Sequence, residues 1–479
     1  MIAPVEVRAA GDALPRSVHG QMKRFGEWYL ASADFRAASE ADPVGTARQY
    51  GLDLTEAEAR ALLRRDLLTE FADLTDVPNT VLEFRDRRRE TFLNAHRWRS
   101  VGTGADPRFH AWRQRQIARG EIEFGLVVNS QIVHAPVAVE LQTGCSVGCW
   151  FCGVSAPALD GILPYTPEVA RLWAGVTSVL HDVCGDALAA GFLYWATDPL
   201  DNPDYERFVE AWHDEVGRIP QTTTAQPLRH LERSRALVAR STGINAGSMR
   251  ISVLSLPVLR RLFDAFTPEE LADIELVMQM PEAATHLALA GRAGDEPAEG
   301  PKRGSDRIEE GEAAADTIAC ASGFLVNMVE RTVRMVTPCH SSDRWPDGYR
   351  VVGEGSFSDA DEFGQLLDRL VDENAPPPLA GNNRLRWRPP LRCTPAFEGF
   401  DLHTVSHRLR LRSRPGLEVI GELVSAGADP TVDEVLAQCA ARGIPEQQAR
   451  ATLDLLDHQA VFEDQWALDA RRTIPVLAR

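Results

Sequence analysis

A chain of 479 residues, 44% hydrophobic and 25% charged, can bury a sizeable core in about two to four domains and is neither disordered nor fibrous in composition. Its net charge of −18 argues against a general nucleic-acid binder, and no apolar run approaches the roughly 20 residues of a membrane span. Met1-Ile-Ala-Pro-Val-Glu6 lacks the basic start and apolar core of a secretory signal, and eight mostly scattered cysteines suit a reducing, cytoplasmic setting.

Residues 1–130 read as a helical accessory region. Phe25, Trp28, Tyr29 and Phe35 recur near helical spacing, and Leu52-Asp-Leu-Thr-Glu-Ala-Glu58 carries a capping signature at Thr55. Basic clusters follow at Arg85–Arg89 and at Arg113, Arg115 and Arg119. They read either as a grip for an acidic peptide or as a solvated helix face.

From about residue 131 short apolar runs alternate with helical segments, the pattern of a parallel sheet. The expected strands are Val137–Leu141, Gly191–Ala196, Gln221–Thr224, Met249–Leu254, Glu275–Met280 and Thr332–Val336. The first delivers Cys145-Ser-Val-Gly-Cys149-Trp-Phe-Cys152, three thiols spaced C-x3-C-x2-C. A cubic iron–sulfur cluster takes four thiolates as a rule, so three from one loop leave one iron open for a small ligand. Gly148 lets the backbone turn, and Trp150 and Phe151 put apolar bulk beside the sulfurs. The rival readings are a zinc site, which lacks a nearby fourth ligand, and three unrelated core cysteines.

The segments after the other strands supply candidate ligand groups. Thr197-Asp-Pro-Leu-Asp-Asn-Pro-Asp-Tyr205 gathers acceptors suited to an ammonium group, or is a turn rich in capping residues. Gln221–Gln226 presents alternating hydroxyls. Arg250 and Ser252 share a strand face, where an arginine could pair bidentately with a carboxylate or make a structural bond. Met278, in Leu276–Met280, is either a wall for an apolar ligand or plain core. Gly291–Ala315 is an acidic insertion without periodicity, expected to be mobile and to precede a helix containing Phe324–Arg331. Cys339 then lies just past a strand, between Pro338 and His340.

A helix is expected over 357–372 and a linker at Ala375-Pro-Pro-Pro378. Arg384–Arg392 is basic with Trp387 interleaved, which suits an acidic peptide. His407–Arg412 alternates like a strand, and helices follow at Leu417–Ala426, Val432–Arg442 and Pro445–Asp457, a winged-helix-like order.

The Cys145–Cys152 spacing, with an aromatic before the third cysteine, resembles the radical S-adenosylmethionine (SAM) signature. The longer run from Val139 to Ser155 is similar to the radical SAM epimerases that convert L- to D-residues in ribosomally made peptides, the proteusin-maturation type. The resemblance covers roughly 130–350. It implies a partial (β/α)6 barrel over 131–350; with the residue patterns of the flanks, the expectation is an α/β chain with a helical region at 1–130, an extension at 351–400 and a small winged-helix-like domain at 401–479.

It implies one 4Fe–4S cluster on Cys145, Cys149 and Cys152, and S-adenosyl-L-methionine as second cofactor. Thr197 and Asp198 would hold its ammonium group, although the family's usual Gly-Gly-Glu stretch is absent there. Arg250 and Ser252 would hold its carboxylate and ribose, with Met278 on the adenine side. Strand-end placement in a barrel makes Cys339 the expected hydrogen donor, ahead of Cys320 and Cys393; Cys184 and Cys439 read as core. The partners implied are a precursor peptide, leader and core, and an external electron donor such as flavodoxin or ferredoxin, with neither nucleic acid nor membrane. The C-terminal domain resembles leader-recognition modules, or is a structural cap. Thioether formation, methylation and a non-catalytic iron–sulfur or leader-binding role are the alternatives.

Overall fold

The computed structural model describes residues 15–64, 66–67, 73–280, 282–285, 290–293 and 317–464. In chain order these form α1 (Arg16–Ala31), α2 (Ala33–Ala41), α3 (Pro43–Gln49), α4 (Glu56–Leu62), α5 (Asn79–His96), α6 (Pro107–Gln131), β1 (Ala135–Glu140), β2 (Gln142–Thr143), β3 (Gly161–Ile162), α7 (Pro167–Cys184) and α8 (Tyr205–Val216). Then come β4 (Thr222–Thr224), α9 (Leu231–Arg240), β5 (Met249–Val253), α10 (Leu256–Ala265), β6 (Glu275–Met278), β7 (Ala321–Asn327), β8 (Thr332–Pro338), β9 (Tyr349–Ser356) and α11 (Ala360–Asn374). The C-terminal elements are β10 (Arg392–Ala396), β11 (Gly399–His403), β12 (Arg408–Arg412), α12 (Leu417–Ser425), α13 (Val432–Ala441) and α14 (Glu446–His458). The chain is thus mixed α/β, and none of the sheets among the described residues closes into a barrel.

These elements group into two compact units, one from residues 1–97 and 221–286, the other from 98–220, 287–300 and 305–479. In the first unit the helical pattern of the sequence is realised. Phe25 and Trp28 of α1 pack on Phe35, with ring centroids 5.2 and 6.3 Å away. Thr55 caps α4 reciprocally with Glu58, as its spacing predicts. The sheet is β4-β5-β6, all parallel.

The second unit is built on the sheet β1-β7-β8-β9. β1 is buried along its whole length and runs parallel to β7, while β8 runs antiparallel to β7 and β9 antiparallel to β8. α6 covers the sheet through Phe109, stacked 4.9 Å from Phe324. Further on, the antiparallel sheet β10-β11-β12 is followed by α12, α13 and α14 around Phe400, Leu402, Ile420 and Leu453. Ile122 of α6 belongs to that same core.

Several expectations need correcting. Phe324–Asn327 is strand, not helix, because β7 is inserted between β1 and β8, and its seven buried apolar and small residues suit a strand covered on both faces. Gly191–Ala196 forms no strand; one bridge joins Phe192 to Ala138. Arg113 and Arg115 are buried rather than solvated, Arg113 donating to the carbonyls of Trp98, Arg99 and His134. Most of the insertion Gly291–Ala315 lies outside the described residues.

Candidate functional site

The end of β1 is tied to its surroundings by one acid. Glu140 is 4% exposed, and its carboxylate accepts the Ala196 N–H at 2.8 Å and the Asn327 amide at 3.3 Å. Burial pushes its pKa up, with the Ala196 bond and Arg334 opposing. Glu140 therefore fixes three segments at one point, and an acid inside the run Val137–Leu141 was the sequence signal for it.

The chain then enters the cysteine loop. Gly148 has φ +65, the turn expected of it. All three thiols are free and partly buried. The Val147 N–H points to Cys145 Sγ at 3.5 Å and the Ala156 N–H to Cys152 Sγ at 3.3 Å. Burial pushes the Cys145 and Cys149 thiols up to about 11, the nearby Asp198 carboxylate adding to the effect in both. The donor set fits a soft metal or an iron–sulfur cluster: three thiols on one loop with backbone N–H groups aimed at two of the sulfurs. The side chains are not drawn to coordination distance, since no three His, Cys, Asp or Glu side chains among the described residues stand ready to hold a metal. Trp150 is 46% exposed, so it does not wall off the sulfurs.

The turn Thr197–Tyr205 is fastened to this loop. Gln142 donates to the Asp198 carbonyl at 2.6 Å, and Ser146 donates through its N–H at 2.9 Å and its hydroxyl at 2.5 Å to the Asp201 carboxylate. Asn202 donates to the carbonyls of Leu141 and Leu163. Asp198 caps the short turn through Leu200 N–H and is 3% exposed. Thr197 Oγ1 is buried with no hydrogen-bond partner. On the loop's far side, Gly153 packs so tightly on Ile318 that an added Cβ would lie 2.8 Å from it. Cys320, two residues on, donates its thiol to the Ile318 carbonyl.

The remaining expected site residues are on other elements. Arg250 is paired with Glu275 at 2.9 Å, Ser252 shares its half-buried face of β5, and Met278 is buried core. All three belong to the first unit, the cysteine loop to the second. Cys339 follows β8, but β8 runs antiparallel to β7 and hence to β1. The chain leaves β8 at the end of the sheet where β1 begins, not at the end carrying the cysteine loop. The strand-end argument for Cys339 therefore fails, because a parallel barrel strand was assumed. Cys339 is 4% exposed beside α6, where burial and then the Glu123 carboxylate raise its pKa well above the ordinary thiol value. Glu123 also accepts the His340 N–H and pairs with the fully buried Arg388.

The chain is 37% identical over 458 residues to the uncharacterized protein y4wI of Sinorhizobium fredii, spanning 94% of this chain and 88% of that one. It belongs to the y4wI family. No protein-family model matches the chain, and no solved structure does. The shared length takes in residues of both units. No helix among the described residues is long and apolar enough to cross a membrane.

Proposed function

We propose that the chain is a radical SAM enzyme of the peptide-epimerase type, inverting Cα centres of a ribosomally made precursor peptide in the cytoplasm. The carrying observation is the cysteine loop: three free thiols spaced C-x3-C-x2-C after a parallel strand, fastened by Gln142 and Ser146 to an acid-bearing turn. Cys145, Cys149 and Cys152 would hold one 4Fe–4S cluster. Bound with SAM and reduced, it would supply a carbon radical able to take the peptide's Cα hydrogen. The parallel strands of both sheets are the material of a partial (β/α)6 barrel, which supports that finer fold.

The protein's own part in inversion is to return hydrogen from the opposite face. A thiol S–H bond breaks as the new Cα–H bond forms, leaving a sulfur radical. One electron from an external carrier such as ferredoxin or flavodoxin and one proton from solvent restore the thiol. The donor must be a thiol, not a thiolate; Cys339 keeps its proton through its burial beside Glu123, but it lies at the end of the sheet where β1 begins and would act only on a peptide that reaches there. Cys320 is the competing donor on placement, since Ile318 joins it to the cysteine loop. The three-strand, three-helix C-terminal segment, rich in arginine, supports leader binding.

The test is anaerobic reconstitution, followed by iron and sulfide analysis and a search for 5′-deoxyadenosine. Turnover with the neighbouring small reading frame's peptide in deuterated water should leave one deuterium per inverted Cα. Protein that takes up zinc tightly, or a reduced cluster that never cleaves SAM, would remove the proposal.

A further inference from the structure

The cysteine loop is flanked on both sides by segments of opposite charge. On the Cys145 side stands the turn with Thr197 and Asp198, already described. On the Cys152 side stands Gly291–Ala293, a single helical turn of the second unit. Its backbone is seated firmly: the Arg292 N–H donates to the Cys152 carbonyl at 3.0 Å, and the Gly291 N–H to the Pro346 carbonyl at 2.8 Å. Gly291 has φ +53, and an added Cβ would lie 2.8 Å from the Cys152 carbonyl oxygen. Only glycine lets the turn approach this closely.

Arg292 is thereby delivered to the loop. It is partly buried, and its Nε is shut away from solvent with no hydrogen-bond partner. Thr197, 91% buried, carries a second orphaned donor, its Oγ1. A buried guanidinium nitrogen and a buried hydroxyl, both unsatisfied, are costly in a folded protein unless a ligand completes them. Carboxylate on one side and guanidinium on the other is the complement of an α-amino acid zwitterion, and guanidinium–carboxylate pairs are the strong, two-pronged kind.

We infer that Arg292 holds the α-carboxylate of the methionyl part of SAM, opposite Asp198 and Thr197 on its ammonium group. This rests on the proposed function and replaces Arg250, whose guanidinium is engaged by Glu275. The site takes ligands carrying both a free ammonium and a free carboxylate, and discriminates against those lacking either.

The test is calorimetric titration of anaerobically reconstituted protein with SAM and with decarboxylated SAM, which keeps the sulfonium and the amine. Wild type should bind SAM about tenfold or more tightly than the decarboxylated probe, the scale of one charge-assisted bond. Arg292→Met should erase that preference, weakening SAM while leaving the decarboxylated probe unchanged, and Arg292→Lys should keep part of it. Asp198→Asn should weaken both probes. Wild-type preference for SAM retained in Arg292→Met, or equal wild-type binding of the two probes, overturns the assignment alone. A wild-type protein with its cluster but no SAM binding overturns the proposed function and the assignment together.

Discussion

The cysteine loop and the Cys339 pocket place the same side chain in opposite settings. In the loop the thiols are partly exposed, backbone N–H groups point at two sulfurs, and unsatisfied polar atoms stand on either side. Around Cys339 more of the polar groups are met: Glu123 is taken by His340 and Arg388, and the Cys339 N–H by the Gly348 carbonyl, while the Arg119 Nε beside Glu123 has no hydrogen-bond partner. An open thiol set with unmet donors is built to be completed by something from outside. A buried thiol such as this can keep its proton but cannot reach far. On the proposed reading the first is the cofactor site, and the second acts only if the substrate comes to it.

The largest effect should come from the loop itself. Cys145→Ala, Cys149→Ala or Cys152→Ala should each abolish the cluster and all SAM cleavage, read as iron content and deoxyadenosine after reduction. Next comes the donor thiol. Cys339→Ala should keep the cluster and deoxyadenosine formation yet give little D-residue by chiral amino-acid analysis, with Cys320→Ala behaving as wild type. The reverse pattern would move the donor to the cysteine loop's edge and make Cys339 core.

Titration sharpens the same contrast. Burial pushes the Cys184 thiol up to about 12 and holds Cys339 well above its ordinary value. An unfolded chain ionises these thiols from about pH 9 while the folded chain keeps their protons. The unfolded state then binds fewer protons, so stability falls as pH rises above 9 towards 12. For Cys184 alone the loss is roughly 1 kcal/mol by pH 10. Urea midpoints measured from pH 8 to 10.5 should fall, and Cys184→Ala should flatten the fall. A flat wild-type profile would mean the thiols are more open than their packing indicates.

Glu140→Gln tests what aims the loop. The amide keeps one acceptor but turns an N–H towards either Ala196 or the Asn327 amide, so one bond is lost. A cost of about 1–3 kcal/mol in denaturant unfolding is expected. An unchanged midpoint would mean the carboxylate is not the tie between β1 and the Thr197 turn.

What the sequence made legible was local. The loop spacing, the Thr55 capping box and the helices α11 to α14 follow from residue periods of a few positions, and the structure has them. Strand partners were not legible. β7 and β8 are both buried runs, and nothing in either says whether its neighbour is parallel, so Thr332–Val336 reads as a barrel strand in the sequence. Cys339 inherited that error. Arg113 and Arg388 read as surface charge because arginine usually is, yet backbone carbonyls meet both inside the fold. Arg292 was invisible because it follows no strand, and its position is set by Gly291 and the loop it touches.

The smallest effect concerns the peptide's handle, which neither cysteine region provides. Along β12, Leu409 and Leu411 face the C-terminal core, while Arg408, Arg410 and Arg412 alternate on the other side. Arg408 and Arg412 are committed to Asp401. Arg410 between them is exposed and makes no ion pair among the described residues, so it is a cation able to meet an acidic leader. Removing the whole segment from residue 401 would strip the core that includes Ile122 and confuse binding with unfolding. Arg410→Glu leaves that core intact and reverses one exposed charge. Its effect should be a several-fold loss of leader affinity, larger at low ionic strength because the contact is screened by salt. Fluorescence anisotropy with a labelled leader at two salt concentrations measures it, and deoxyadenosine formation without peptide should stay at the wild-type level. Equal affinity at both salt concentrations would make the three-strand, three-helix segment a cap, and the leader's contact would then lie elsewhere on the chain.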